Sequence, residues 1–249
     1  MAHAFGWLRD IPYQRDHLMA LAPMALPKKV SLRKKMPPVF DKGQLGSCTA
    51  NAIAGALEYE EKRQGEKTNR LSRLFIYYNE RAMEGTVDSD AGASIRDGIK
   101  SVGKLGAPLE KLWPYNVDKF TWKPSKASYA EAVKHEALSY ARVAQTTTAL
   151  QRVLASGYAV VFGFTVYESF ESQAVADSGR VPMPGKGEKV LGGHAVVLAG
   201  YDNTSGPVAW EVRNSWNADW GDKGYCWMPQ SYLTKSNLSS DFWNIRKVT

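Results

Sequence analysis

Cysteine is almost absent from this chain, with only Cys48 and Cys226 among 249 residues. Two thiols give no disulfide framework and no paired metal-ligand spacing, so the expectation is a fold without a metal that does not depend on an oxidising compartment. Long apolar runs are missing too. Nothing approaches the roughly eighteen residues of a membrane span. The nearest thing to a signal segment, LMALAPMAL at Leu18 to Leu26, follows Asp10 and Asp16 and is interrupted by Pro23. No secretory signal and no membrane partner are therefore expected. That fits the cytoplasm, and it fits equally a protein carried in a virus particle or exported by another route. Histidine is scarce, and His3, His17, His135 and His194 are the whole set.

At 44% hydrophobic and 23% charged residues, the chain has enough apolar surface for one large domain or two lobes. The formal charge of +7 is mild and diffuse. Its densest piece, KKVSLRKK at Lys28 to Lys35, runs into Pro37 and Pro38 and reads as a solvated basic strap, so nucleic acid is not an expected partner. Residues 1–27 carry Phe5, Trp7, Ile11 and Tyr13 without a sustained period and read as an irregular docked arm. Residues 28–118 are mainly helical. Helices are expected from Cys48 to about Gly65, through LFIYYNERAME, and from Ala93 to Val102 with Ser94 as cap. Residues 119–249 turn strand-rich, with strands at His135 to Val143, Ala159 to Val166, His194 to Tyr201, Val208 to Arg213 and Gly224 to Met228. A short helix over Thr147 to Ser156 and a long exposed loop over Ser178 to Gly193 complete this half. A helical half followed by a strand-rich half predicts an α+β chain with a cleft between two lobes.

The stretch DKGQLGSCTANAIAGAL, Asp41 to Leu57, organises the rest. Gly43 and Gly46 let the backbone turn tightly before Cys48, Ser47 and Thr49 place short polar groups at the helix start, and Ile53, Ala56 and Leu57 recur at helical spacing. A thiol at the head of a core helix would meet unpaired amides and the positive end of the dipole, which lower its pKa toward the thiolate. The plainer alternative is a buried inert cysteine. Cys48 needs a base, and His194, at the start of the apolar strand HAVVLAGY, is the best placed histidine; His3 and His17 lie in the arm and His135 in a polar stretch. Asn214, in RNSW, could accept the far imidazole proton and fix the tautomer.

With GSC at the helix start, GGHAVVLAGY, NSW, WGDKGY, DAG before the third helix and WPY closing the helical half, the chain resembles the papain-like cysteine peptidases, in particular their compact bacterial and viral relatives. These motifs run in the family's order from Val30 to Met228. His194 lies 146 residues after Cys48 and Asn214 lies 166 after it, against a family spacing of roughly 130–150. The resemblance implies a two-lobed fold with a helical lobe, an antiparallel β-barrel-like lobe and the active-site cleft between them. It implies Cys48 as nucleophile, His194 as base and later acid, Asn214 as its orienter and Trp216 as a shield over their hydrogen bond. Gly92 would pair with substrate backbone, with Ala91 and Gly193 lining the same cleft. The implied reaction is hydrolysis of peptide or protein substrates through a thioester, without a cofactor.

The chain departs from the family at the oxyanion hole. The family has glutamine six positions before the nucleophile, and here that position is Lys42. The hole could be built from the Cys48 amide with the Lys42 ammonium, with Gln44, or with one donor missing. Leu45, Thr49 and Asn217 replace a disulfide cysteine, a tryptophan and a glycine of many relatives. In relatives a leading segment often fills the cleft until it is cut, so residues 1–27 are a candidate prosegment. Three functions follow: a cysteine endopeptidase, weakened or autoinhibited; a catalytically impaired papain-fold structural or interaction protein; and a Cys-His-Asn amidase or acyl transferase, with membership of a larger assembly as a further partner expectation.

Overall fold

The computed structural model describes residues 3–11, 13–66 and 69–248, apart from the Lys247 side chain. Met1, Ala2 and Pro12 of the arm lie outside this set. The strands are β1 (Trp7–Leu8), β2 (Lys29–Ser31), β3 (Ala93–Ser94), β4 (Ala137–Arg142), β5 (Val160–Tyr167), β6 (Val190–Asp202), β7 (Ala209–Arg213), β8 (Tyr225–Pro229) and β9 (Ser239–Val248). The helices are α1 (Cys48–Arg63), α2 (Arg73–Glu84), α3 (Ile95–Leu105), α4 (Lys126–Ala132), α5 (Thr147–Ala155), α6 (Gln173–Ser178) and α7 (Gln230–Thr234).

A seven-stranded antiparallel sheet, β4-β9-β5-β6-β7-β8 with β2 added to β6, forms the second lobe. The expected barrel-like closure does not occur, because β4 and β8 are separate edges covered by other segments: Leu18 bridges Arg142 on one edge and Arg180 bridges Trp227 on the other. The strap at residues 28–35 is less solvated than its charge suggests. Val30 pairs with Tyr201 in β6, and Arg33 reaches Asp222 at 2.7 Å. The loop expected up to Gly193 ends earlier, since β6 begins at Val190, and its glycines continue the strand. β9 has no clean alternation in SSDFWNIRKV and is not among the strands expected from sequence.

α1 is the central helix, packed against β6, β9, α2 and α3. Every residue from Cys48 to Glu61 is buried. Small residues make this close approach possible: a Cβ on Gly55 would lie 2.7 Å from Arg213 Nη1. The helix ends where Gln64 and Gly65 turn the chain, with Gly65 at φ +87°. α2 and α3 start on serine caps, Ser72 accepting from the Phe75 amide and Ser94 from the Asp97 amide, and end at Gly85 and Gly106. The arm joins the body through residues 13–28. Met19 N–H donates to Arg142 O at 2.7 Å, and Tyr201 Oη–H donates to Pro27 O at 2.7 Å, which pins this linker in two places.

Burying α1 on all sides also buries Glu58, which accepts the Leu71 amide at 2.8 Å. Burial pushes its carboxyl from the usual 4.5 up to about 7. The folded chain therefore holds this proton through a range where the unfolded chain releases it, so stability is greatest below the unfolded value and falls as pH rises toward 7. Glu58→Gln keeps an acceptor and removes the titration. In urea unfolding at pH 5 and pH 8, the wild type should lose up to about 3 kcal/mol more than this variant; equal losses would show that Glu58 titrates normally.

Candidate active site

α1, β6 and the loop after β7 converge on one point. α1 contributes Cys48 from its first position. His194 sits in β6 opposite Phe164 of β5. Asn214 follows β7, where its amide N–H donates to Gly224 O at 2.9 Å. His194 Nε2–H donates to Asn214 Oδ1 at 2.8 Å, and the Ser215 amide donates to the same oxygen at 2.8 Å. Two donors on one oxygen settle the Asn214 orientation and put the imidazole proton on Nε2, leaving Nδ1 as the basic nitrogen. Among the described residues, Nδ1 finds no hydrogen-bond partner. Trp216 lies over the imidazole at 5.1 Å and 24°.

Lys42 is fully buried. Its ammonium donates to Ala4 O at 2.7 Å, Leu45 O at 3.2 Å and Gly43 O at 3.3 Å. Its backbone is fixed as well, the amide donating to Ser215 O at 3.0 Å and the carbonyl accepting from Tyr115 Oη–H at 3.0 Å. Gln44 is exposed on the same loop. The Ser47 hydroxyl does not cap α1; it bonds Tyr115 Oη and accepts from Asn51 Nδ2 at 3.0 Å. Thr49 Oγ1 donates to Glu80 Oε1 at 2.6 Å.

The arm lies across Cys48. The Gly6 and Ala195 amides lie near enough to the sulfur to favour its thiolate form. Gly6 O accepts from the Ala93 amide at 2.8 Å, and Trp7–Leu8 pairs parallel to Ala93–Ser94. The fit allows no side chain at two positions: a Cβ on Gly6 would lie 1.7 Å from Gly46 O, and one on Gly92, at φ +73°, would lie 2.1 Å from Gly6 O. His3 stacks on Trp216 at 3.7 Å and 2°, and its Nδ1 donates to Glu171 Oε1 at 3.0 Å. Phe5 packs on Gly192, and Trp7 on Gly163 and Gly193. Beyond them Asp10 accepts from Arg142 at 2.7 Å and Trp243 Nε1 at 2.9 Å, while Asp16 pairs with Arg96 at 2.6 Å and Arg142 at 2.7 Å.

This cover reverses the expected electrostatics. Burial pushes the Cys48 thiol up, against the opposing pull of Lys42 and the two amides. Burial, then Lys42, holds the His194 imidazole down at about 3. The closed site is therefore a neutral thiol beside a neutral imidazole, where an exposed helix head would have favoured the thiolate.

The structure brings Cys48, His194, Asn214, Lys42 and Trp216 together, with Gly92 and Gly193 against the arm; Ala91 adjoins Gly92 in the chain, and Gln44 stands apart. A sequence model described as papain family cysteine protease matches residues 26–243. The chain belongs to that family. Within it, the chain is 41% identical over 273 residues to an uncharacterised peptidase C1-like protein, L477, of Acanthamoeba polyphaga mimivirus, covering 98% of this chain and 87% of that one. It is 31% identical to thiol protease aleurain of Arabidopsis thaliana, covering 81% of this chain and 55% of that longer protein. Among solved structures it is similar to xylellain, a cysteine protease from Xylella fastidiosa, at TM-score 0.89 and 40% identity over 99% of this chain and 97% of that one. A procathepsin B from Trypanosoma congolense shares the fold at TM-score 0.78 and 17% identity, over 95% of this chain and 85% of that one.

In this papain-family cysteine protease the sequence reading missed His3, Glu171 and Asp241 at the site. The sequence puts His3 in the arm, and the fold stacks that arm residue on Trp216. The aromatic spacing of Phe5 and Trp7 around Gly6 was the one available signal. Overpacking of a tight backbone contact typically costs about 1–3 kcal/mol, so Gly6→Ala should raise the rate of Cys48 alkylation by iodoacetamide about ten- to a hundredfold. An unchanged rate would mean that the arm does not limit access to the sulfur.

Proposed function

We propose that this chain is a cysteine endopeptidase held in a self-blocked, zymogen-like state by residues 3–11. The observation that carries the reading is a peptide backbone laid over Cys48, with the Ala4 carbonyl 2.7 Å from the Lys42 ammonium and the Gly6 amide at the sulfur. A group that donates to a carbonyl in this position can donate to the oxyanion that a carbonyl becomes.

Once the arm departs, water reaches the site and the burial penalty on both partners falls. The thiol proton passes to His194 Nδ1, and the thiolate attacks the carbonyl carbon of the substrate peptide bond. The oxygen, now negative, accepts from the Cys48 amide and from Lys42 Nζ–H, while Nε2–H stays on Asn214 Oδ1 and keeps the ring in plane. His194 Nδ1–H then protonates the leaving amine, and the carbon–nitrogen bond breaks to leave an acyl thioester on Cys48. A water that gives its proton to Nδ1 attacks the thioester, and collapse releases the acid and the thiol. The Lys42 charge supports the thiolate and opposes the imidazolium. Its main service is therefore at the oxyanion.

The triad is tested by labelling the opened protein with a thiol-directed epoxide: fast labelling lost in His194→Ala supports it, and no labelling after the arm is displaced overturns it. For the hole, Lys42→Met should lower kcat on a peptide substrate about a hundred- to a thousandfold, the usual effect of removing one oxyanion donor. Lys42→Gln, which restores a donor, should stay within about tenfold of wild type. Equal activity of Lys42→Met and wild type would remove Lys42 from the mechanism.

A further inference from the structure

The Lys42 ammonium is a buried cation that meets only neutral partners. Its hydrogen bonds go to the carbonyl oxygens of Ala4, Leu45 and Gly43, and three acceptors on one nitrogen require all three protons. The carboxylates whose charges it feels are Asp90, Asp41 and Glu171. Each is turned to another donor: Asp90 accepts the Gly46 amide at 3.0 Å, Asp41 the Gly43 amide at 2.8 Å and Glu171 His3 Nδ1–H at 3.0 Å. The outer arm is built differently. There Arg142 meets Asp10 at 2.7 Å and Arg96 meets Asp16 at 2.6 Å, while Asp241 accepts Trp7 Nε1–H at 3.2 Å and the Asp10 amide at 2.8 Å. Charge meets charge at that end, and at Lys42 charge meets a dipole.

Ala4 leaves with the arm, so one proton of this cation loses its acceptor. A carboxylate replaces it better than a carbonyl does, because the bond is charge-assisted at both ends and the buried charge gains a counterion. The proposed reaction makes such a group at this point. When water splits the thioester, the oxygen that accepted from Lys42 Nζ–H becomes one of the two oxygens of the product acid. With Cys48 as a thiol and His194 neutral, Lys42 supplies the net charge among these three side chains and attracts the acid. A thiolate would repel it. The bound acid therefore keeps the proton on sulfur, and the nucleophile rests.

We propose that Lys42 makes the opened site a receptor for peptides ending in a free carboxylate, so that the protein retains, and is inhibited by, the acid it forms. The proposal rests on the endopeptidase reading for the source of such peptides and adds the regulation of that site by its product. Binding itself needs no turnover.

The test uses the full-length chain with Gly6→Ala, joined by Trp7→Ala if the first change alone leaves Cys48 closed to alkylation. A mixed library of N-acetyl tripeptides is made once as acids and once as amides. Each is titrated for the concentration that halves the rate at which iodoacetamide, a neutral reagent, alkylates Cys48. The acids should protect at about tenfold lower concentration than the amides. Adding Lys42→Gln, which keeps a donor and removes the charge, should bring that ratio to about one. The chain's formal charge of +7 attracts any anion, and all but one unit of it survives in Lys42→Gln, so the lost preference belongs to Lys42. Ratios are taken within one protein and do not depend on the fraction folded. Equal protection by acids and amides in the parent, or a preference unmoved by Lys42→Gln, would overturn the proposal. Where a peptide is hydrolysed, its acid product added at the start should slow turnover competitively, and the matching amide should do so about tenfold less well. If the acids protect and no peptide is hydrolysed, the carboxylate site stands and the endopeptidase reading falls. If peptides are hydrolysed and acids protect no better than amides, the carboxylate site falls alone.

Discussion

A lysine ammonium with no exposed surface, whose hydrogen-bond partners among the described residues are all carbonyl oxygens, lies at the candidate site. Taking a cation out of water is expensive unless its donors are all used. Lys42 uses two of its three on its own loop, at Gly43 and Leu45, and the third on Ala4 of the arm. The need for that third oxygen links closure to chemistry. Whatever brings a carbonyl to Lys42, the arm or a substrate, satisfies the same charge. On the proposed mechanism the need is met best when the oxygen becomes negative.

The frame around it is stiff for reasons of packing. α1 is buried along most of its length, and its alanines and Gly55 let it approach Arg213 and Phe40 closely. β6 lies between β5 and β7, with His194 paired to Phe164 of β5 three residues before the β7 ladder begins at Val197. The Asn214 amide, fixed by two donors, sets the imidazole face. Side chains that must hold one angle are thus carried by the least mobile elements, whereas the arm docks through side chains on glycine-lined surface.

Much of this was legible in the sequence because the informative residues sit in local motifs at element starts. GSC before a run of small residues, GGH before a strand and NSW after one each declare both a backbone shape and a side chain. The third helix, capped by Ser94, was legible for the same local reason. What escaped depends on contacts distant in sequence. Trp7 and Asp241 are 234 residues apart, and nothing near either announces the other. The direction of the Cys48 shift was misread because dipole and amides are local, while the burial that outweighs them comes in part from Gly6. β9 was missed because its residues, packed among other strands, carry no period of two, and the sheet's openness follows from Leu18 and Arg180 covering its edges.

The linker at residues 13–28 has a consequence of its own. On the proposed reading the blocking segment is held to the body by the same chain, pinned at Met19 and Pro27, so its opening and closing would form a unimolecular equilibrium that dilution does not shift. A short tether acts like a millimolar concentration of its own ligand. Cutting the chain between the segment and those pins changes the order of the reaction. From then on the blocking peptide must return by collision, and the fraction of open protein depends on how much peptide remains nearby.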